Sequence, residues 1–324
     1  MQEILPYKQY IEKAIAELAY EKEPKELYEP IRYTLDLGGK RMRPILLLLA
    51  CEMFNGNKED ALQQALAIEV FHNFTLLHDD IMDQAPLRRN KPTVFKKWNE
   101  NIAILSGDVM FVESCQLMIA NSGEKVHQIM KVFFEAAIEV CEGQQWDMNF
   151  ENANDVSVNA YLHMIELKTA ALLGGALQIG ALMGDATIEQ SNWIKHFGRN
   201  IGVAFQLMDD VLDCYGDPAL VGKQTGGDIK ANKKTYLLIR TIEKASPEDH
   251  AKLTELMQPM HYNEQKVREV MNLYARYGVK EEAELIMQQY FNQAIEQLEK
   301  IGRDDNRAKQ IIRNFAESLM KRSY

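Results

Sequence analysis

ALQQALAIEVFHNFTLLHDDIMD, Ala61 to Asp83, contains neither glycine nor proline. Apolar residues recur along it at helical spacing, which predicts one long helix closing before Pro86. Its last turn carries three aspartates, Asp79, Asp80 and Asp83. That is the unfavourable end, because the helix dipole is negative there. Asp79 and Asp83, one turn apart on the same face, also repel each other. Leu76, Leu77, Ile81 and Met82 around them are apolar, so a solvated polar face accounts poorly for the cluster. Carboxylates accumulated against such costs suit a divalent cation. With no His or Cys at ligand spacing, hard oxygen donors favour Mg²⁺ over zinc.

The pattern recurs further along. FQLMDDVLD brings Asp209, Asp210 and Asp213 to the end of a second predicted helix, Asn192 to Tyr215, which stops at Gly216-Asp217-Pro218. Between the two clusters, HMIELKTAALLGGALQIGAL (His163 to Leu182) is apolar nearly all round, which predicts a buried helix with a bend at Gly174-Gly175. Glu281 to Ile301 is amphipathic, and no segment alternates at strand period. The expectation is an all-α, single-domain bundle of about ten helices spanning residues 1–324.

Composition narrows the function. A chain of 324 residues that is 46% hydrophobic has ample material for a core, which excludes general disorder. A net charge of -10 argues against a nucleic-acid partner. Any anionic ligand must therefore meet local basic groups or metal ions. The N-terminus lacks the charge and apolar pattern of a signal peptide. Runs such as PILLLLA are too short to cross a bilayer, so no transmembrane segment is expected. Cys51, Cys115, Cys141 and Cys214 show no CxxC spacing, consistent with reduced thiols and a cytoplasmic protein.

Basic loops accompany the acidic helix ends. GGKRMRP sets Lys40, Arg41 and Arg43 around a Gly-Gly turn before a helix, an arrangement suited to anions. Arg88 and Arg89 follow the first cluster. GKQTGGDIKANKKT, with Lys223, Lys233 and Lys234, follows the second. Acidic helix end followed by basic loop, twice, points to a diphosphate delivered with metal ions, its hydrocarbon lying along the apolar helices. A di-iron alternative rests on Glu69-x-x-His72 and Glu124-x-x-His127. The second of these begins where a helix is only starting, and in a Glu-rich chain both are explained by chance.

On these residues the chain resembles the trans-isoprenyl diphosphate synthases, or polyprenyl synthetases. LLHDDIMD and FQLMDDVLD are similar to their two aspartate-rich motifs. GGKRMRP, PLRR, the LKTA at Lys168 and GKQTGGDIKANKKT match in order. The resemblance implies an isoprenoid synthase-like bundle around a central cavity. It implies a Mg²⁺-dependent prenyltransferase that joins isopentenyl diphosphate to an allylic diphosphate, and about three ions. Asp79 and Asp83 would hold two ions and Asp209 the third, with Asp80, Asp210 and Asp213 in support. Arg88, Lys168, Lys223 and Lys233 would contact the allylic diphosphate, and Lys40, Arg43, His72 and Arg89 isopentenyl diphosphate. Gln144 and Asp147 would stand behind the metals. Lys168, Thr169 and Gln206 would face the allylic cation with oxygen dipoles. Asn90 and Asn232 stand where the family often has glycine, and asparagine tolerates positive φ better than most residues.

Product length and assembly follow from the same resemblance. Phe74 lies about 7.5 Å, and Phe71 about 12 Å, back along the helix from Asp79 at 1.5 Å per residue. An aromatic residue at the first position goes with short products, and the first motif lacks the two-residue insertion of typical bacterial farnesyl synthases; together these favour C20 over C15. A terpene cyclase would replace the second motif and would not need GGKRMRP; a regulatory subunit would tend to lose the acidic motifs. The family usually forms homodimers, and Asn101 to Ala120 is a candidate interface.

Overall fold

The computed structural model describes residues 2–153, 155–216, 225–258 and 264–320. The described residues are almost wholly helical. In chain order they form α1 (Leu5–Ala16), α2 (Lys25–Asp36), α3 (Met42–Met53) and α4 (Leu62–Met82). A two-stranded hairpin follows, β1 (Leu87–Arg88) and β2 (Lys91–Pro92), then α5 (Val94–Lys97), α6 (Glu100–Ile119) and α7 (Val126–Asn152). Next come α8 (Val158–Ile165), a π turn at Glu166–Ala170, α9 (Ala171–Met183) and α10 (Ile188–Tyr215). The remainder is α11 (Gly227–Lys230), α12 (Tyr236–Lys244), α13 (Pro247–Leu256), α14 (Glu264–Tyr277), α15 (Val279–Lys300) and α16 (Arg307–Met320). The helices outnumber the ten expected because pieces such as α5 and α11 span single turns, too short to leave a hydrophobic period.

The chain divides into two compact units. The first comprises Met1–Glu135, Gly175–Lys195 and Ile301–Arg313. Its centre is α3, buried without a break from Pro44 to Cys51, packed beside α4. Arg41 precedes α3 in a left-handed conformation (φ 52°) and is itself buried. Its guanidinium meets Glu69 at 2.6 Å and Glu12 at 3.0 Å, and donates to the Leu35 carbonyl at 2.7 Å. Removing one partner of such a buried pair costs about 3–5 kcal/mol. Glu69 is thereby committed to a cation of the chain, which disposes of the di-iron alternative. α4 is buried from Gln64 to Phe71 and emerges toward its acidic end.

The second unit comprises Ala136–Gly174, His196–Lys300 and Asn314–Tyr324. Its core joins Tyr161, Ile165, Leu207, Val211, Leu237 and Val270 with their neighbours on α8, α10, α12 and α14. The irregularity expected at Gly174-Gly175 lies earlier, at the π turn, and α9 runs regularly through the glycine pair.

Two helices, Glu100–Ile119 and Val158–Met183, have the length and apolar composition of a membrane span, although the sequence reading found no unbroken apolar run long enough. That reading counted unbroken apolar runs, whereas these helices reach the same mean hydropathy with polar residues interspersed. The second is 78% buried inside the protein, as a core helix is.

Candidate active site

α4 ends at Met82 and Asp83 is its C-cap, so the first acidic cluster occupies the last turn as expected. Its carboxylates are not equivalent. Asp80 is buried and takes both its oxygens to Arg88, whose Nε donates at 2.8 and 2.9 Å and whose Nη2 lies 2.7 Å away. Burial raises the Asp80 pKa and Arg88 opposes the rise. Asp79 is partly exposed, 3.5 Å from Arg88 Nη2, and Asp83 is exposed. The hairpin aims the arginines. Arg89 and Asn90 form its two-residue turn at φ 53° and 63°, the left-handed pair that such a tight turn requires. Successive arginines therefore diverge, Arg88 to the acids and Arg89 to the Gly-Gly turn.

At that turn Gly39 has φ +154°, and a Cβ on it would come 3.1 Å from Arg89 Nη2. Arg43, in the first turn of α3, donates from Nη1 to His72 Nε2 at 3.3 Å. A ring nitrogen that accepts from a guanidinium must be unprotonated. Burial, then Arg43, then Arg89 hold the imidazole pKa well below its ordinary value. Among the described residues the buried Arg43 Nε has no hydrogen-bond partner. Arg43, His72 and Arg89 are thus brought together, and Lys40 lies exposed in the same turn. Such a concentration of cations can hold an anion.

The second cluster, on α10, is sorted in the same way. Asp210 is buried; it accepts from the Tyr161 hydroxyl and, at 3.1 Å, from Gln206 Nε2. Burial pushes its pKa up to about 8, against the lowering effect of those two donors. Asp213 is buried and caps a turn, its carboxylate accepting the Asp228 amide at 3.0 Å and its carbonyl the Gly226 amide at 2.7 Å. Asp209 is partly exposed. Lys233 is exposed beyond α11, after Asn232 at φ 56°. Lys223 lies outside the described residues.

The π turn holds the LKTA segment. Lys168 Nζ meets Asp147 of α7 at 2.6 Å, and Thr169 donates to Gln206 at 3.1 Å. Gln144 is partly exposed one turn before Asp147 on α7. Two glycines admit the wide turn. A Cβ at Gly143 of α7 would fall 2.6 Å from Lys168 Cα, and one at Gly202 of α10 would fall 2.6 Å from Ala170 Cα.

Comparison with known proteins bears on this geometry. The polyprenyl synthetase family profile matches residues 24–274. The chain belongs to the polyprenyl synthetase family. A short chain isoprenyl diphosphate synthase of Methanothermobacter thermautotrophicus is 35% identical over 98% of this chain and 97% of its own. A geranylgeranyl diphosphate synthase of Methanosarcina mazei is 41% identical over 72% and 73%. The crystal structure of a geranylgeranyl pyrophosphate synthetase from Pyrococcus horikoshii superposes with a TM-score of 0.93 at 34% identity, covering 99% of this chain and 98% of that one. The enzyme is a transferase, a short-chain trans-prenyl synthase.

Synthases of this family depend on divalent metals, and the donors here fit such ions. Asp79, Asp83 and Asp209 offer hard oxygens at or near the surface, while Asp80, Asp210 and Asp213 are bound into the protein. Among the described residues no three His, Cys, Asp or Glu groups already converge on one point. Two features of the synthase escape sequence reading. Tyr161 is an ordinary helical tyrosine until packing carries it to Asp210. Phe111 of α6 joins Phe74 (5.6 Å between ring centroids) and Phe71 (6.0 Å) in an aromatic cluster, and its only sequence signal is its place on an apolar helix.

Proposed function

We propose that this synthase condenses isopentenyl diphosphate with an allylic diphosphate, head to tail, to a C20 product ahead of C15. One observation carries the reading: each acidic motif sets buried, hydrogen-bonded carboxylates among more exposed ones, and in the first motif Arg88 stands beside them. On this reading the whole chain acts as one catalytic domain. Asp79, Asp83 and Asp209 would hold Mg²⁺, about three ions, which neutralise charge on the departing diphosphate. Asp80 orients Arg88, and Asp147 orients Lys168, toward that diphosphate, where Lys223 and Lys233 also bind. Gln144 supports the same acids. Lys40, Arg43, His72 and Arg89 hold isopentenyl diphosphate, and the neutral imidazole of His72 leaves the anion to the guanidiniums. Thr169 and Gln206 present oxygen dipoles to the allylic cation, and the apolar helices exclude water from it.

Phe74, Phe71 and Phe111 would form the floor that stops elongation. The exposed residues Leu105, Val112 and Ile119, seven apart along α6, suit a homodimer contact. A cytoplasmic location accords with the unpaired cysteines. The test is purified protein with Mg²⁺, labelled isopentenyl diphosphate and each allylic primer in turn, with products sized. A C20 product, and loss of turnover in Asp79→Ala, are expected. Near-normal turnover in that variant refutes the metal assignment, and a product of another length refutes the floor.

A further inference from the structure

The turn that carries Lys233 is anchored from two directions. On one side Asp213 accepts the amides of Gly226 and Asp228 at 2.7 and 3.0 Å. On the other stands α14. Gly226, at φ +74°, lies so close to Val267 that a Cβ there would fall 2.5 Å from its Cγ1. The neighbouring Lys266, only 1% exposed, donates from Nζ to the side-chain oxygen of Asn232. Asn232 is left-handed at φ 56°; its amide donates to the Ile229 carbonyl, and that of Lys233 to Asp228.

Both residues are costly choices for packing alone. A buried ammonium needs oxygen partners to replace its water, and a methionine would fill the same space without that demand. Glycine would take the left-handed conformation freely, but it has no side chain to accept a hydrogen bond. We propose that Lys266 is a positioning residue for diphosphate binding: it grips Asn232, fixes the left-handed turn and so aims Lys233 beside the second acidic motif. The inference rests on the reading above that Lys233 meets the allylic diphosphate.

The test is calorimetric titration of the full chain with inorganic pyrophosphate in the presence of MgCl₂. Lys233→Ala, Asn232→Gly and Lys266→Met are each expected to weaken binding about tenfold, the scale of one lost hydrogen bond. The double variant Lys266→Met/Asn232→Gly should bind no worse than the weaker single, because both changes break one tether. KM for the allylic substrate should rise in the same variants while KM for isopentenyl diphosphate holds, a split that general unfolding would not give. Wild-type binding by Asn232→Gly, or losses that multiply in the double variant, overturns the proposal. Asn232→Gly keeps the test decisive if Lys266→Met does not fold. Wild-type binding by Lys233→Ala removes instead the reading beneath it.

Discussion

His72 illustrates how one contact fixes a protonation state. Its Nε2 accepts from Arg43, and burial opposes a second positive charge beside that guanidinium. In the unfolded chain the imidazole gains a proton below about pH 6.5, whereas in the folded chain it resists. The unfolded state therefore binds more protons, and stability contributed by this site is lost as pH falls through that region. Thermal melts between pH 7 and pH 5 should show His72→Gln losing less than the wild type, by roughly 2–4 °C. Equal losses would mean that the imidazole is not held neutral. Phe74 governs a different readout. Phe74→Ala opens the aromatic cluster beside Phe111 and should lengthen the product by at least one isoprene unit, as seen by product chromatography. Phe111→Ala should act in the same direction. Unchanged length in both variants would leave the rings as ordinary core.

At the scale of elements, much was legible. The ends of α4 and α10 fall at the residues that helix-stop chemistry names, and Asn90 and Asn232 adopt the positive φ that asparagine tolerates. The π turn was not legible, because it changes hydrogen-bond register and leaves hydropathy untouched. Nor was the division of labour among the aspartates. Asp79 and Asp80 are identical in sequence terms; only the fold of the hairpin decides which one takes Arg88 on both its oxygens. Gly143 and Gly202 look like weak points in helices until the π turn is seen between their surroundings. Gly143→Ala drives a methyl group into the Lys168 backbone. Overpacking of that kind costs about 1–3 kcal/mol, so the melting temperature should fall. The KM for the allylic substrate should rise with it. A variant with unchanged melting temperature and kinetics would show that α7 does not constrain the turn.

For the molecule as a whole, α6 keeps an apolar face at the surface. Leu105, Val112 and Ile119 are each more than half exposed, on a helix hydrophobic enough to pass for a membrane span. Leu105→Glu/Val112→Glu should convert a dimer to a monomer by light scattering. A wild-type chain that is already monomeric would remove the proposed contact. The wide turn at Glu166–Ala170 has an arithmetic consequence of its own. It houses one residue beyond what a regular helix needs. Trimming that residue would let ordinary helical hydrogen bonds close while the side chains that follow keep their face. Composition, mean hydropathy and helix content would barely change, yet the local geometry that sets Lys168 against Asp147 and Thr169 against Gln206 would be lost.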